Sequence, residues 1–342
     1  MLRYMRWIAA GVMVIAGAAS EASAQTACDR ACLRTMLDQY LTAVVKHDPA
    51  AAPLVVGFRQ TENAINVRPG NGVWKTVTGL GKVQRRYLDA VAGQAAYYGT
   101  VEEGSSTAVV TVRVRVENRQ LTEAEWFLAR ENDPGLNGAR QPGRPPANLH
   151  NPEYLAQNPP PERVVPRDKR ADRATLVRIV ESYFDAITSH DGTVALTHAG
   201  CGRVENGTPV PAGRFLPPIA PATPPSGQAA PARQGGPPGG GNNDCVSGLQ
   251  NFNGQMVVAR RTPLVDEEAQ VALAYAVFIR RPGSPTPRNI FSEWFFIDEA
   301  KIRTIYTAMF YPAPELAVPN WPPYDGNWPL PATIVPAPAP PK

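Results

Sequence analysis

Apolar residues recur at intervals of three and four in two separate stretches of the chain. Between Cys32 and Val45 the stripe is Leu33, Met36, Leu37, Tyr40, Leu41, Val44 and Val45. Between Ala174 and Ser189 it is Leu176, Ile179, Val180, Tyr183, Phe184 and Ile187. That period marks a helix with one face turned to a core. Each stretch runs into a His-Asp step, His47-Asp48 and His190-Asp191. Pro49 disfavours helical conformation at Asp48 and ends the first helix. Ala50 to Val56 is then expected as a short second helix capped by Asp48. At equal distances after the two His come Glu62-Asn63 and Glu205-Asn206, with no insertion between the landmarks. Two tandem copies of one fold account for this match.

Period-two patterns follow each helix. In the first copy, strands are expected at Gln94 to Glu102, Thr107 to Glu117 and Leu121 to Arg130, while Trp74 to Leu88 fits either a helix or a strand. Val110, Val112, Val114 and Val116 share one face of the middle strand, and Thr111, Arg113, Arg115 and Glu117 share the other, expected to be wet. Glu123 and Glu125 can lie opposite the two Arg as cross-strand salt bridges. In the second copy the strands are expected at Gly254 to Thr262, Gln270 to Arg280, Asn289 to Asp298 and Lys301 to Phe310. The run VALAYAVFI is apolar on both faces, which predicts cover on both sides, by the first domain or by the C-terminal tail. The fold class is therefore α+β, with tandem domains at 28–130 and 173–311, each a curved antiparallel sheet packed on N-terminal helices.

Composition changes the picture at the connections. Of the 342 residues 37 are Pro, concentrated in a linker at 131–172, an insertion at 209–243 and a tail at 312–342, none of which suits a sheet or helix interior. Residues 1–24 carry Arg3 and Arg6, an apolar run from Trp7 to Ala19 and an A-x-A step ending at Ala24, the pattern of a cleavable secretory signal. A periplasmic or extracellular address is expected, with no stable membrane anchor once the signal is removed. The formal net charge is only +4, and the basic residues form no stripe, so a nucleic-acid partner is not expected. Four Cys in an oxidising compartment allow three pairings; proximity favours Cys28 with Cys32 and Cys201 with Cys245. There is no C-x-x-C and only four His, which argues against a metal site.

CDRACL leading a helix, TENA in one copy and R-x-ENG in the other, and a G-x-W turn after TENA resemble the SnoaL-like domains of secreted proteins, a branch of the nuclear transport factor 2-like superfamily. The resemblance covers roughly 28–130 and 174–310. It implies a cone-shaped fold shared by isomerases, dehydratases, cyclases, epoxide hydrolases and non-catalytic binding modules. The catalytic Asp and Tyr of the isomerases have no assignable positions here.

The candidate chemistry centres on the second copy. Glu205 or His190 is expected to abstract a proton next to a carbonyl, with Arg203 and Asn206 holding the oxyanion. His198, Tyr183, Tyr275 and Trp294 are the candidate substrate contacts there, and His47, Glu62, Asn63 and Trp74 their counterparts in the first copy. Arg203, two residues before Glu205, shares its strand face and is placed to clamp an anion; Arg59 stands three before Glu62 and does not repeat that geometry. Each candidate has a plainer reading. Asp48 and Asp191 suit helix caps, the Glu-Asn steps suit an ion pair and a turn, and the aromatic residues, Tyr97, Tyr98 and Tyr306 included, suit a core. The expected activity is a cofactor-independent lyase, dehydratase or isomerase acting on a small carbonyl- or carboxyl-bearing substrate. The alternative is a non-catalytic module that binds a small hydrophobic or aromatic ligand. The two domains are expected to pair within the chain or through a homodimer.

Overall fold

The computed structural model describes residues 28–135, 148–210, 245–246, 249, 255–280 and 289–312. The expected signal, nearly all of the 209–243 insertion and nearly all of the tail lie outside the described residues.

Helix α1 (Arg30–Val45) begins at Asp29, whose carboxylate accepts from Cys32 N, and its apolar stripe is buried apart from the half-buried Val45. Helix α4 (Arg173–Ser189) repeats the arrangement with Asp172 accepting from Thr175 N. Both helices unwind through a His of positive φ, 57° at His47 and 60° at His190. Beyond them, Asp48 accepts from Ala50 N and Asp191 from Thr193 N, the capping role anticipated for each. The expected helix at 50–56 shrinks to one 3-10 turn, Pro49–Ala51, and strand β1 (Leu54–Glu62) starts at once. Val55 and Val56, being β-branched, favour the strand.

A two-residue strand β2 (Ile65–Asn66) and a single helical turn α2 (Val73–Thr76) lead into β3 (Gly79–Asp89), β4 (Gln94–Glu103), β5 (Ser106–Glu117) and β6 (Gln120–Ala129). The ambiguous stretch at Trp74 is thus a turn of helix followed by a strand. After α3 (Pro152–Gln157) and α4, the second half repeats the series as β7 (Thr197–Glu205), β8 (Thr208–Pro209), β9 (Gln255–Asp266), β10 (Val271–Arg280), β11 (Asn289–Asp298) and β12 (Lys301–Phe310). The two six-stranded sheets have equivalent orders, β2-β1-β6-β5-β4-β3 and β8-β7-β12-β11-β10-β9. They are mixed and not wholly antiparallel as expected, because β1 runs parallel to β6 and β7 parallel to β12.

One face of each sheet buries its own helix. The other faces its counterpart, in a shared core holding Tyr87, Tyr98 and Phe127 from the first half and Tyr275, Trp294 and Phe296 from the second. VALAYAVFI is covered on both sides for this reason: Ala272, Ala274 and Ala276 pack under α4, and Leu273, Tyr275 and Val277 pack on the first half. The same contact corrects the expected wet face of β5. Arg113 pairs with Glu125 at 2.6 Å as the alternation implied, yet their side chains are only 2% and 1% exposed, and Arg261 of the second half also donates to Glu125. Arg115, at the exposed end, pairs with Glu117 at 2.7 Å.

The linker bridges both halves. Val165 N donates to Glu268 O, Tyr306 Oη to Asn158 O, and Arg85 Nε to Pro160 O. Disulfides join Cys28 to Cys32 and Cys201 to Cys245, which suggests an oxidising compartment. Among the described residues no helix is long and apolar enough to cross a membrane.

Candidate functional site

The repeat allows the two helix-sheet interiors to be compared position by position. In the first half a chain of hydrogen bonds fills the interior. Trp126 Nε1 donates to Tyr40 Oη at 2.8 Å, while Tyr40 Oη and Trp74 Nε1 both donate to Gln60 Oε1, at 2.8 and 2.7 Å. The expected first-half contacts are employed in the same framework. His47 Nδ1 lies 2.7 Å from Trp74 O, and Glu62 Oε1 accepts from Val73 N at 2.8 Å, pinning turn α2. Burial pushes the Glu62 carboxyl above its ordinary pKa, and the Val73 N–H works against that rise. Asn63 accepts from Leu128 N and donates to Leu128 O, clamping β6. These aromatic rings and amides hold one another and leave no polar group of the set unpartnered.

In the second half, Tyr183 stands where Tyr40 does, Arg203 where Gln60 does, and Glu205 where Glu62 does. The β5–β6 and β11–β12 hairpins both turn on two residues of positive φ, Asn118-Arg119 and Glu299-Ala300. Val112 facing Trp126 therefore corresponds to Glu293 facing Thr307. A glutamine, a valine and a tryptophan give way to an arginine, a glutamate and a threonine. Arg203 Nε lies 2.8 Å from Glu205 Oε1 and Nη2 lies 2.9 Å from Glu293 Oε1, while Nη1 donates to Tyr183 Oη. Exposure grades across the cluster, from 14% for the Glu205 side chain through 9% for Arg203 to none for Glu293.

The electrostatics follow from that enclosure. Burial, partly offset by Arg203, pushes the Glu293 carboxyl up to about 7, with Glu205 adding repulsion. Burial opposes the Arg203 charge, yet Tyr183, Glu205 and Glu293 together raise its pKa above the ordinary guanidinium value. Neither Glu293 oxygen nor Thr307 Oγ1 has a hydrogen bond of good geometry. The cluster pairs a carboxyl that titrates near neutrality with a fixed positive charge, the elements of general acid–base chemistry.

Of the residues expected at this site, Glu205, Arg203 and Tyr183 come together. The others do not. Asn206 accepts from Met309 N and donates to Met309 O, at 2.7 and 3.0 Å, so its amide clamps β12 and is not free for an oxyanion. His198 Nε2 lies 2.8 Å from Asp298 O at the foot of the β11–β12 hairpin. Tyr275 and Trp294 project from the opposite face of the sheet into the inter-half core, where Trp294 Nε1 donates to Thr111 Oγ1. His190 ends α4, with a buried Nδ1 that has no hydrogen-bond partner among the described residues.

Glu293 is the residue of this cluster that the expected set lacks, although the sequence carries a signal for it. It is a lone charge in the run NIFSEWFFI, which is otherwise without ionisable groups. A charge inside such a strand is buried and costly unless it is paired or used. Among the described residues no group of three His, Cys, Asp or Glu is placed to hold a metal ion.

A family model described as a domain of unknown function, DUF8021, matches residues 169–309, the span that carries this cluster. No curated protein matches the chain.

Proposed function

We propose that each half is a cone of the SnoaL-like kind and that only the second is functional, performing proton transfer on a small carbonyl-bearing substrate without a cofactor. Glu293 serves as the acid–base group, Glu205 as the outer carboxylate, and Tyr183, held in place by Arg203, donates its hydroxyl to the charge that develops on oxygen. The observation that carries this reading is the replacement of the sealed Gln60–Trp126–Val112 set by a buried, titratable set, in a fold copy that is otherwise the same. Framework needs alone favour the first arrangement, since an enclosed carboxyl costs stability.

Incubation of the purified chain in D2O with a panel of small ketones and aldehydes, followed by proton NMR, tests this directly. Deuterium should enter next to the carbonyl of at least one compound, and Glu293→Gln should abolish that exchange while the protein stays folded. Exchange that survives the substitution removes Glu293 from the chemistry. The second reading, a non-catalytic binding module, draws on the complete enclosure of Glu293 behind Arg203. It predicts ligand-dependent thermal stabilisation with no exchange in any compound.

A further inference from the structure

We propose that the ligand of the second-half site is an organic cation, a primary or secondary amine, and that the site turns carboxylates away; this rests on the functional reading of that site given above. The sequence alone made Arg203 an anion clamp, and the geometry removes it from that role. Each of its three nitrogens already faces a partner of this chain, Glu205, Glu293 or Tyr183. An incoming carboxylate meets no uncommitted guanidinium nitrogen and two carboxyl groups of its own sign.

Apart from Arg203 Nε, whose contact with Glu205 at 2.8 Å is an ion pair and not a good hydrogen bond, the groups wanting a partner are acceptors. Glu293 Oε1 has its ion pair with Arg203 Nη2 at 2.9 Å, whereas Glu293 Oε2 and the Thr307 hydroxyl are buried without a hydrogen bond of good geometry. They lie opposite each other on neighbouring strands. Enclosed acceptors call for a donor, and an ammonium brings up to three N–H groups and a charge. The charge count agrees. The groups facing Glu293 are Tyr183 from α4, Arg203 and Glu205 from β7, and Thr307 from β12. With both acids ionised, two negative charges meet one positive, and a cationic ligand restores the balance. In the first half Val112 stands in place of the inner acid, and the one carboxylate, Glu62, accepts from Val73 N and Gln60 Nε2.

A proton must move with the ligand. Glu293 is pushed up to about 7, so near pH 6 it holds a proton that the ammonium displaces, and near pH 8 it is already ionised. Affinity for the amine therefore rises across that interval.

Benzylamine, benzyl alcohol and benzoate share one ring and differ in charge, which makes them suitable probes. Calorimetric titration of the full chain at pH 6 and pH 8 should show benzylamine binding about tenfold more tightly than the other two, and more tightly at pH 8. Glu293→Gln should erase that preference, and Thr307→Val, a near-isosteric change, should weaken it while keeping the fold. Benzoate binding best, in a manner that Glu293→Gln alters, overturns the cationic class and leaves the site in place. Binding of all three that is indifferent to Glu293→Gln overturns the site itself.

Discussion

Asp89 and Asp266 hold equivalent places at the ends of β3 and β9, and each reaches across to the other half of the molecule. Asp89 Oδ2 accepts from Val265 N at 2.8 Å and from Arg173 Nη1 at 2.7 Å, while Asp266 accepts from Leu88 N at 2.8 Å and from Arg30 Nη1 at 2.9 Å. Each also closes its own hairpin, on Ala92 N and Ala269 N. The start of each half's helix is thereby fastened to the other half's sheet, as in an interface between two identical subunits. Replacing either Asp by Ala leaves buried N–H groups without an acceptor. Each substitution should cost roughly 2–4 kcal/mol in urea unfolding. Because the bonds cross between halves, both should still unfold in one transition, and separation into two transitions in the wild type would count against a shared core.

The inner acid of the second half should shape the pH dependence of stability. Its folded pKa, about 7, lies above the ordinary 4.5, so the native state holds the Glu293 proton more tightly than the unfolded chain does. Native stability from this group is then full at low pH and falls as pH rises from about 4.5 to about 7, by about 3 kcal/mol in all. Glu293→Gln, a permanently neutral side chain, should match the wild type near pH 4 and exceed its stability near pH 8. Chemical denaturation at the two pH values checks this; a variant less stable than wild type at pH 8 would show that the ionised carboxylate supports the fold.

Periodicity made the elements legible, because helices and strands bury one face through local spacing alone. The stripes ending at Val45 and Ile187 and the alternation of β5 therefore lie where the pattern set them. What the face of a strand meets is not local information. Arg113 and Glu125 read as a solvent-facing ladder, and only the second half's approach makes them a buried ion cluster with Arg261. Tyr275 and Trp294 were misplaced for the same reason, since nothing in their strands tells helix face from partner face. Glu293 is not marked by the repeat as the helix and first strand define it, because the late hairpins follow a different offset and correspond only through their turns.

The two disulfides should contribute unequally. Cys28 and Cys32 close a span of 4 residues, whereas Cys201 and Cys245 close one of 44. In the chain-entropy account the longer closure is worth about 4 kcal/mol and the shorter about 2 kcal/mol. Paired Cys→Ala substitution should lower the urea midpoint more for Cys201 with Cys245. That bridge also anchors β7, the strand of Arg203 and Glu205, so the same variant should weaken any ligand binding. Equal losses from the two pairs would place the stabilisation in native contacts and not in the closed loop.

Trp126 and Thr307 occupy one position in two copies of the fold, and their substitutions should behave in opposite ways. Trp126 is wholly buried and starts the hydrogen-bond chain through Tyr40 to Gln60. Trp126→Ala opens a void and strips a buried phenol of its donor, so a cost of about 3–5 kcal/mol is expected. Thr307 Oγ1 has no hydrogen bond of good geometry to lose, and Thr307→Val should shift stability by less than about 1 kcal/mol. Thr307→Trp rebuilds the first half's plug where the second half keeps its charges. It should abolish benzylamine binding and carbonyl exchange together, at an overpacking cost of about 1–3 kcal/mol. Thermal denaturation separates loss of function from loss of fold in this variant. A folded Thr307→Trp protein that still binds and exchanges would move the functional site away from the interior that Glu293 and Thr307 share.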